Sequence, residues 1–174
     1  INDSGDTLRD CGPAITAVPL PCLALPGMMV EIEAVAIASG PGNDRQVANP
    51  RGLAPLPAPF CHGLRCGSHI WVSAQSIRHH AVPADGSSDT RDQTAVMMNQ
   101  IGAVLRDLDA DLNDIVRTGC WYRGDGTRNS WEGQAVVRGA HFPEDAPGST
   151  ELLTSCLPAG ELARVDAWAM RGLD

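Results

Sequence analysis

The chain has 174 residues, enough for one domain or one domain plus a fragment, and 43% of them are hydrophobic, enough for a buried core. A net charge of −8 and a pI near 4.9 argue against a nucleic-acid groove. All 13 basic residues are arginine, which excludes a Schiff-base lysine within this chain, and no apolar run is long enough to span a bilayer.

In chain order, residues 1–11 read as the end of a polar helix that Gly12-Pro13 stops. Residues 14–18 fit a short strand, and 19–27 a proline-rich connection. Alternation predicts a clear strand over 29–38, with Glu31 and Glu33 on one face and Val30 and Ile32 on the other. Ser39-Gly40-Pro41-Gly42-Asn43-Asp44 marks a boundary. Two strands over 60–64 and 69–74 are joined by a turn at 65–68 and followed by a polar loop over 76–88. The strongest helix spans 93–109, where Met97, Ile101, Val104, Leu105 and Leu108 form one stripe, and Asp89 and Asp92 suit its N-terminus. A short turn holds Leu112, Ile115 and Val116. A strand over 117–123, a weaker helix over 131–140 and strands over 151–156 and 163–170 complete the pattern. The order β-β-α-β-α-β-β predicts an α+β fold, a mixed sheet with helices on one face.

One pattern occurs twice. Leu25-Pro26-Gly27 leads into Met29-Val30-Glu31-Ile32-Glu33-Ala34-Val35-Ala36, and Leu157-Pro158-Ala159-Gly160 leads into Arg164-Val165-Asp166-Ala167-Trp168-Ala169. Each copy places an acid just before Ala-x-Ala, and about one domain length separates the acids. Residues 1–38 are therefore expected to be the C-terminal part of a first domain, 39–52 a linker and 53–174 a complete second domain. A half-sheet carries unpaired edges and bare apolar surface, so an upstream segment or companion chain is expected to complete the first copy.

These residues resemble the RidA family, also called YjgF or UK114. The run Met29–Ala36 is similar to the family's C-terminal strand, and His69-Ile70-Trp71-Val72-Ser73-Ala74-Gln75 to its second-strand motif. The helix ending at Asp109, the run Leu112-Asn113-Asp114-Ile115-Val116-Arg117-Thr118, Phe142-Pro143 and Leu157-Pro158 follow in family order. The resemblance implies a RidA/chorismate-mutase-like mixed β-sheet with two helices packed on one face. It also implies a trimeric or pseudo-hexameric assembly with clefts between subunits, and hydrolysis of reactive enamines and imines to ketones and ammonia. Carried over by position, the family's last-strand acid becomes Glu33 and Asp166. Its helix asparagine becomes Asn2 in the first copy and Glu132 in the second. Its early tyrosine and serine become Phe60 and Cys61, and its strand-two serine remains Ser73. Its carboxylate-gripping arginine is replaced by Ile15 and by Ser149, neither of which can make a bidentate contact. Arg123 and Arg138 are the candidate substitutes.

Two replacements add chemistry. Glu132 is titratable, and in a partly apolar cleft desolvation would raise its pKa towards a range suited to proton transfer; the alternative is a solvated helix glutamate. Cys61 is a candidate nucleophile or a buried structural thiol. Cys61-His62 is a poor dyad, because successive strand residues point to opposite faces. Trp121 and Trp131 line a pocket or fill the core.

Cys61, His62, Cys66 and His69 match no strong zinc spacing, and no glycine loop cradles a phosphate, so neither metal nor cofactor is expected. The six cysteines (Cys11, Cys22, Cys61, Cys66, Cys120 and Cys156) read as reduced thiols of a cytoplasmic protein.

The first functional reading is a hydrolase or deaminase of a small C=N or amide-like substrate. In it Glu132 is the general acid/base, Glu33 and Asp166 position water, and Phe60, Cys61, Ser73 and Trp121 shape the cleft with Asn2 and Ser149. The alternatives are a non-catalytic ligand-binding or scaffolding member and a chorismatase-like hydrolase of specialised metabolism. A small molecule and a companion chain are the expected partners, with neither nucleic acid nor membrane.

Overall fold

The computed structural model describes residues 12–38, 40–57, 59–79 and 89–172. Six strands form one sheet: β1 (Arg45–Ala48), β2 (Gly63–Cys66), β3 (His69–Gln75), β4 (Ile115–Tyr122), β5 (Gly148–Leu153) and β6 (Ala163–Met170), in spatial order β1-β2-β3-β6-β4-β5. Helices α1 (Thr90–Asp107) and α2 (Arg128–Gly139) supply the second layer. β4 and β5 run parallel and α2 makes the crossover between them, while every other pair is antiparallel. The fold is the α+β arrangement anticipated from the element order.

The apolar stripe of α1 explains its docking. Met97, Ile101, Val104, Leu105 and Leu108 are all fully buried, each contributing about 1.5–3 kcal/mol of burial. They pack on Ile70 and Val72 of β3 and on Ala163, Val165, Ala167 and Ala169 of β6. Asp89 caps α1, its carboxylate accepting from the N–H groups of Arg91 and Asp92 at 2.7 and 2.9 Å. The small residues along β6 let the helix approach the sheet. The intervening Arg164, Asp166, Trp168 and Met170 alternate onto the opposite face. On that face Trp71 stacks on both Trp168 and His69, with ring centroids 5.9 and 5.6 Å apart.

Several boundaries differ from the sequence expectation. The expected linker contains β1, which pairs with β2 from Arg45↔Cys66 to Ala48↔Gly63. The strand expected over 60–64 starts only at Gly63 and runs to Cys66, so the hairpin turns tightly at Gly67, whose φ of 59° suits glycine. The strand expected over 151–156 forms three residues earlier as β5.

The largest departure is at residues 29–38. The described residues there form no strand, and Met29 and Ile32 are 94% and 83% exposed. Alternation gives a segment two faces, but a strand also needs a neighbouring strand to receive its backbone hydrogen bonds, and none of the described residues forms one beside it. Residues 14–18 likewise make one parallel bridge, Ala14↔Cys61, in place of a strand. The helix end expected over 1–11 lies outside the described residues.

Candidate functional site

Asp166 leaves β6 on the face away from the helices. Its Oδ1 accepts the Gly119 N–H at 2.9 Å and its Oδ2 accepts the Thr16 hydroxyl at 2.7 Å. Burial raises the Asp166 pKa, and the bonds from Thr16 and Gly119 and the charge of Arg117 only partly offset it. Gly119 is glycine for a steric reason. A Cβ there would lie 2.5 Å from Asp166 Oδ1 and 2.9 Å from Cη2 of Trp121, so the missing side chain makes room for both. Trp121 thus stands beside the carboxylate.

The segment 12–19 crosses this face as an arm. Ile15 N–H donates to Ser73 Oγ at 2.8 Å, and Ala74 N–H donates to the Ile15 carbonyl at 3.2 Å. Cys61 N–H donates to the Pro13 carbonyl at 3.3 Å and the Cys61 thiol to the Gly12 carbonyl at 3.2 Å. Arg164 donates to the Ala17 carbonyl, and Thr154 Oγ1 to the Pro19 carbonyl at 3.2 Å. Ser73 Oγ donates in turn to the Cys61 carbonyl at 2.5 Å. The arm therefore ties Cys61 and Ser73 to Asp166, with Phe60 next in sequence and half-buried.

Other expected site residues lie elsewhere. Ser149 is bonded into a polar network on the helix side of the sheet. Alternation along β4 puts Thr118, its strand neighbour, on the face opposite Gly119 and Asp166. In that network Arg138 donates to Gln134 Oε1 at 2.7 Å, Thr118 Oγ1 at 2.9 Å and Ser149 Oγ at 3.0 Å, and it pairs with Glu151. Burial pushes the Glu151 carboxyl up, but its bonds to Gln134, Arg138 and Trp131 hold it below the usual range. Arg138 is thus committed to Glu151 and is no substitute for the family arginine, and Arg123 donates to the Leu157 carbonyl. Glu132 pairs with Arg128 at 2.5 Å within α2, and 35% of its side chain is exposed. Of the two readings of Glu132, this matches the helix glutamate, held in an ion pair with an exposed arginine. Glu33 lies exposed in the strandless segment. Asn2 lies outside the described residues.

Sequence reasoning passed over Thr16, Gly119 and Arg117. Gly119 had a signal, since a mid-strand glycine marks a close approach. Arg117, opposite Trp168 in the sheet register, is the cation whose charge reaches Asp166.

No family model matches the chain. A RutC family protein of Pyrococcus abyssi (strain GE5 / Orsay) is 26% identical over 125 residues, covering 68% of this chain and 91% of the relative. Among solved structures, the E. coli YjgF gene product has a TM-score of 0.61 at 19% identity, covering 73% of this chain and 99% of its own. E. coli TdcF with bound serine has a TM-score of 0.62 at 17% identity, covering 73% and 99%. Rv2704 of Mycobacterium tuberculosis, a member of the YjgF/YER057c/UK114 family, has a TM-score of 0.59 at 20% identity, covering 74% and 100%.

The chain has the fold of the YjgF/RidA/UK114 proteins and is similar in sequence to a RutC family protein. Within this RidA-like protein the described cysteines, Cys22, Cys61, Cys66, Cys120 and Cys156, are free thiols. Among the described residues no helix is long and apolar enough to cross a membrane.

Proposed function

We propose that this RidA-like chain hydrolyses a small imine or enamine to a ketone and ammonia at the Asp166 cleft. The observation that carries the reading is a partly buried carboxylate with raised proton affinity, fixed by two donors and flanked by Trp121 and Arg117. A carboxylate with raised proton affinity is a stronger base than a solvated one and so is suited to taking up a proton. In the reaction, water adds through oxygen to the C=N carbon while Asp166 takes its proton. The C=N electrons go to nitrogen, which receives that proton back from Asp166. The carbinolamine then collapses: its hydroxyl proton passes through Asp166 to the departing nitrogen as the C–N bond breaks and C=O forms, giving the ketone and ammonia. Arg117 is the cation available to a substrate carboxylate. The solved TdcF structure holds serine, a ligand of the size this reading requires.

The cleft is read as an interface between two copies of the fold. The arm over 12–19 lies against Cys61 and Ser73 of the second, complete copy. The exposed alternation over 29–37 suits a strand completed by a companion RidA-like segment, within a trimeric or pseudo-hexameric assembly.

A second reading, a ligand-binding member without turnover, is favoured by Ser149 in the arginine position and by Arg138 locked to Glu151. Ammonia release from a panel of small imines separates the two. Turnover that falls by about 10² or more in Asp166→Asn supports hydrolysis. Saturable binding with no ammonia release supports the second reading.

A further inference from the structure

A cavity of about 330 Å³ lies between the turn at residues 50–53 and one face of α1, and none of its lining residues belongs to the Asp166 site. Its walls include Pro50, Leu53 and Val96, with Arg51, Asn99 and Gln100 as the polar contributors. The turn is fixed by the Gly52 and Leu53 N–H groups, which both donate to the Pro50 carbonyl at 3.0 and 3.1 Å. Val96, Asn99, Gln100 and Ala103 recur at helical spacing and so present one side of α1 to it.

Gln100 is the unusual member. It is 3% exposed, and neither its amide nitrogen nor its amide oxygen has a hydrogen-bond partner. Buried polar groups are nearly always bonded, and a buried amide that leaves both ends unmet is costly where an apolar side chain of like shape would not be. Its neighbours Met97, Ile101 and Val104 offer no polar atom. Gln100 is among the residues lining the cavity, and the terminal torsion of a glutamine is soft. Arg51, on the rim, is exposed and pairs with no carboxylate among the described residues.

We propose that this cavity binds a small lactam carrying a carboxylate, whose amide edge pairs with Gln100 and whose carboxylate pairs with Arg51. A primary amide presents an N–H and a C=O on one edge, and a lactam presents the complementary pair, so two parallel hydrogen bonds form at once. Pro50, Leu53 and Val96 suit the methylene groups of a small ring. The volume lies within the range of about 300–1,000 Å³ common to small-molecule sites. The inference does not depend on the chemistry assigned to Asp166.

The test titrates the full chain with 5-oxoproline, following the Gln100 side-chain amide by ¹H–¹⁵N NMR. Saturable shifts are expected, and Gln100→Leu is expected to weaken binding by about tenfold or more, as in a site built around a hydrogen-bonding pair. Arg51→Met, an exposed change that leaves folding intact, is expected to weaken 5-oxoproline while leaving the uncharged 2-pyrrolidinone unchanged. N-methyl-2-pyrrolidinone, which lacks the donor, is expected not to bind. The proposal is overturned if the Gln100 amide shows no saturable shift up to roughly 50 mM 5-oxoproline, well above any useful affinity. It is equally overturned if the N-methylated ring binds as well as the parent.

Discussion

The Thr16 hydroxyl donates to Asp166 Oδ2 at 2.7 Å, joining the arm near the start of the chain to the last strand of the sheet. Asp166 is the acid of the second Leu-Pro-led run in the sequence.

The raised pKa of Asp166 has a defined signature. Its folded pKa lies above its unfolded value near 3.8, so its protonated form favours folding at low pH and that advantage is lost as pH rises through the folded pKa. Urea unfolding from pH 3.5 to 7 is expected to show Asp166→Asn gaining on the wild type as pH rises. A constant difference across the range would count against the shift.

Gly119→Ala is expected to destabilise the protein by about 1–3 kcal/mol, because the added methyl meets Asp166 Oδ1 at 2.5 Å and the Trp121 ring at 2.9 Å. Thermal unfolding reads the loss. A variant as stable as the wild type would mean the strand yields without cost.

Arg138→Met removes one partner of a buried pair and leaves Glu151 uncompensated, at a cost of about 3–5 kcal/mol. Combining it with Glu151→Leu is expected to recover much of the loss, and a double-mutant cycle by urea unfolding measures that coupling.

Cys120 is fully buried and its thiol is pushed up to about 12, first by desolvation. Cys22 is exposed. A thiol reagent is expected to modify Cys22 in the native protein and Cys120 only after unfolding. Peptide mapping of modified protein checks the order.

The exposed Met29, Val30, Ile32 and Val35 predict association. The wild type is expected to sediment above its 18.4 kDa chain mass, and Met29→Glu with Ile32→Glu is expected to reduce that association. A wild-type monomer would contradict the companion-segment reading.

What the sequence made legible was local and periodic. The stripe on α1 and the alternation of β6 are strong, because both elements lie in the middle of the fold with one face in the core. Asp166 was reached through the repeat. β1 escaped notice because Arg45-Gln46-Val47-Ala48 is short, at the sheet edge and set among glycine and proline. The segment 29–38 showed strand periodicity without a partner, and periodicity cannot supply one. Glu132 was placed by family position alone, whereas the helix pairs it with Arg128 one turn away. Ser149 and Arg138 were considered as separate residues, and only the sheet register brings them together on the face opposite Asp166.

The most direct test is a ¹³C NMR titration of the Asp166 carboxyl in the wild type and in Thr16→Val. The account predicts a wild-type midpoint above the ordinary 3.8, moved higher still when the Thr16 hydrogen bond, which favours the ionised form, is removed. A wild-type midpoint at or below 3.8, or one indifferent to Thr16→Val, would contradict it.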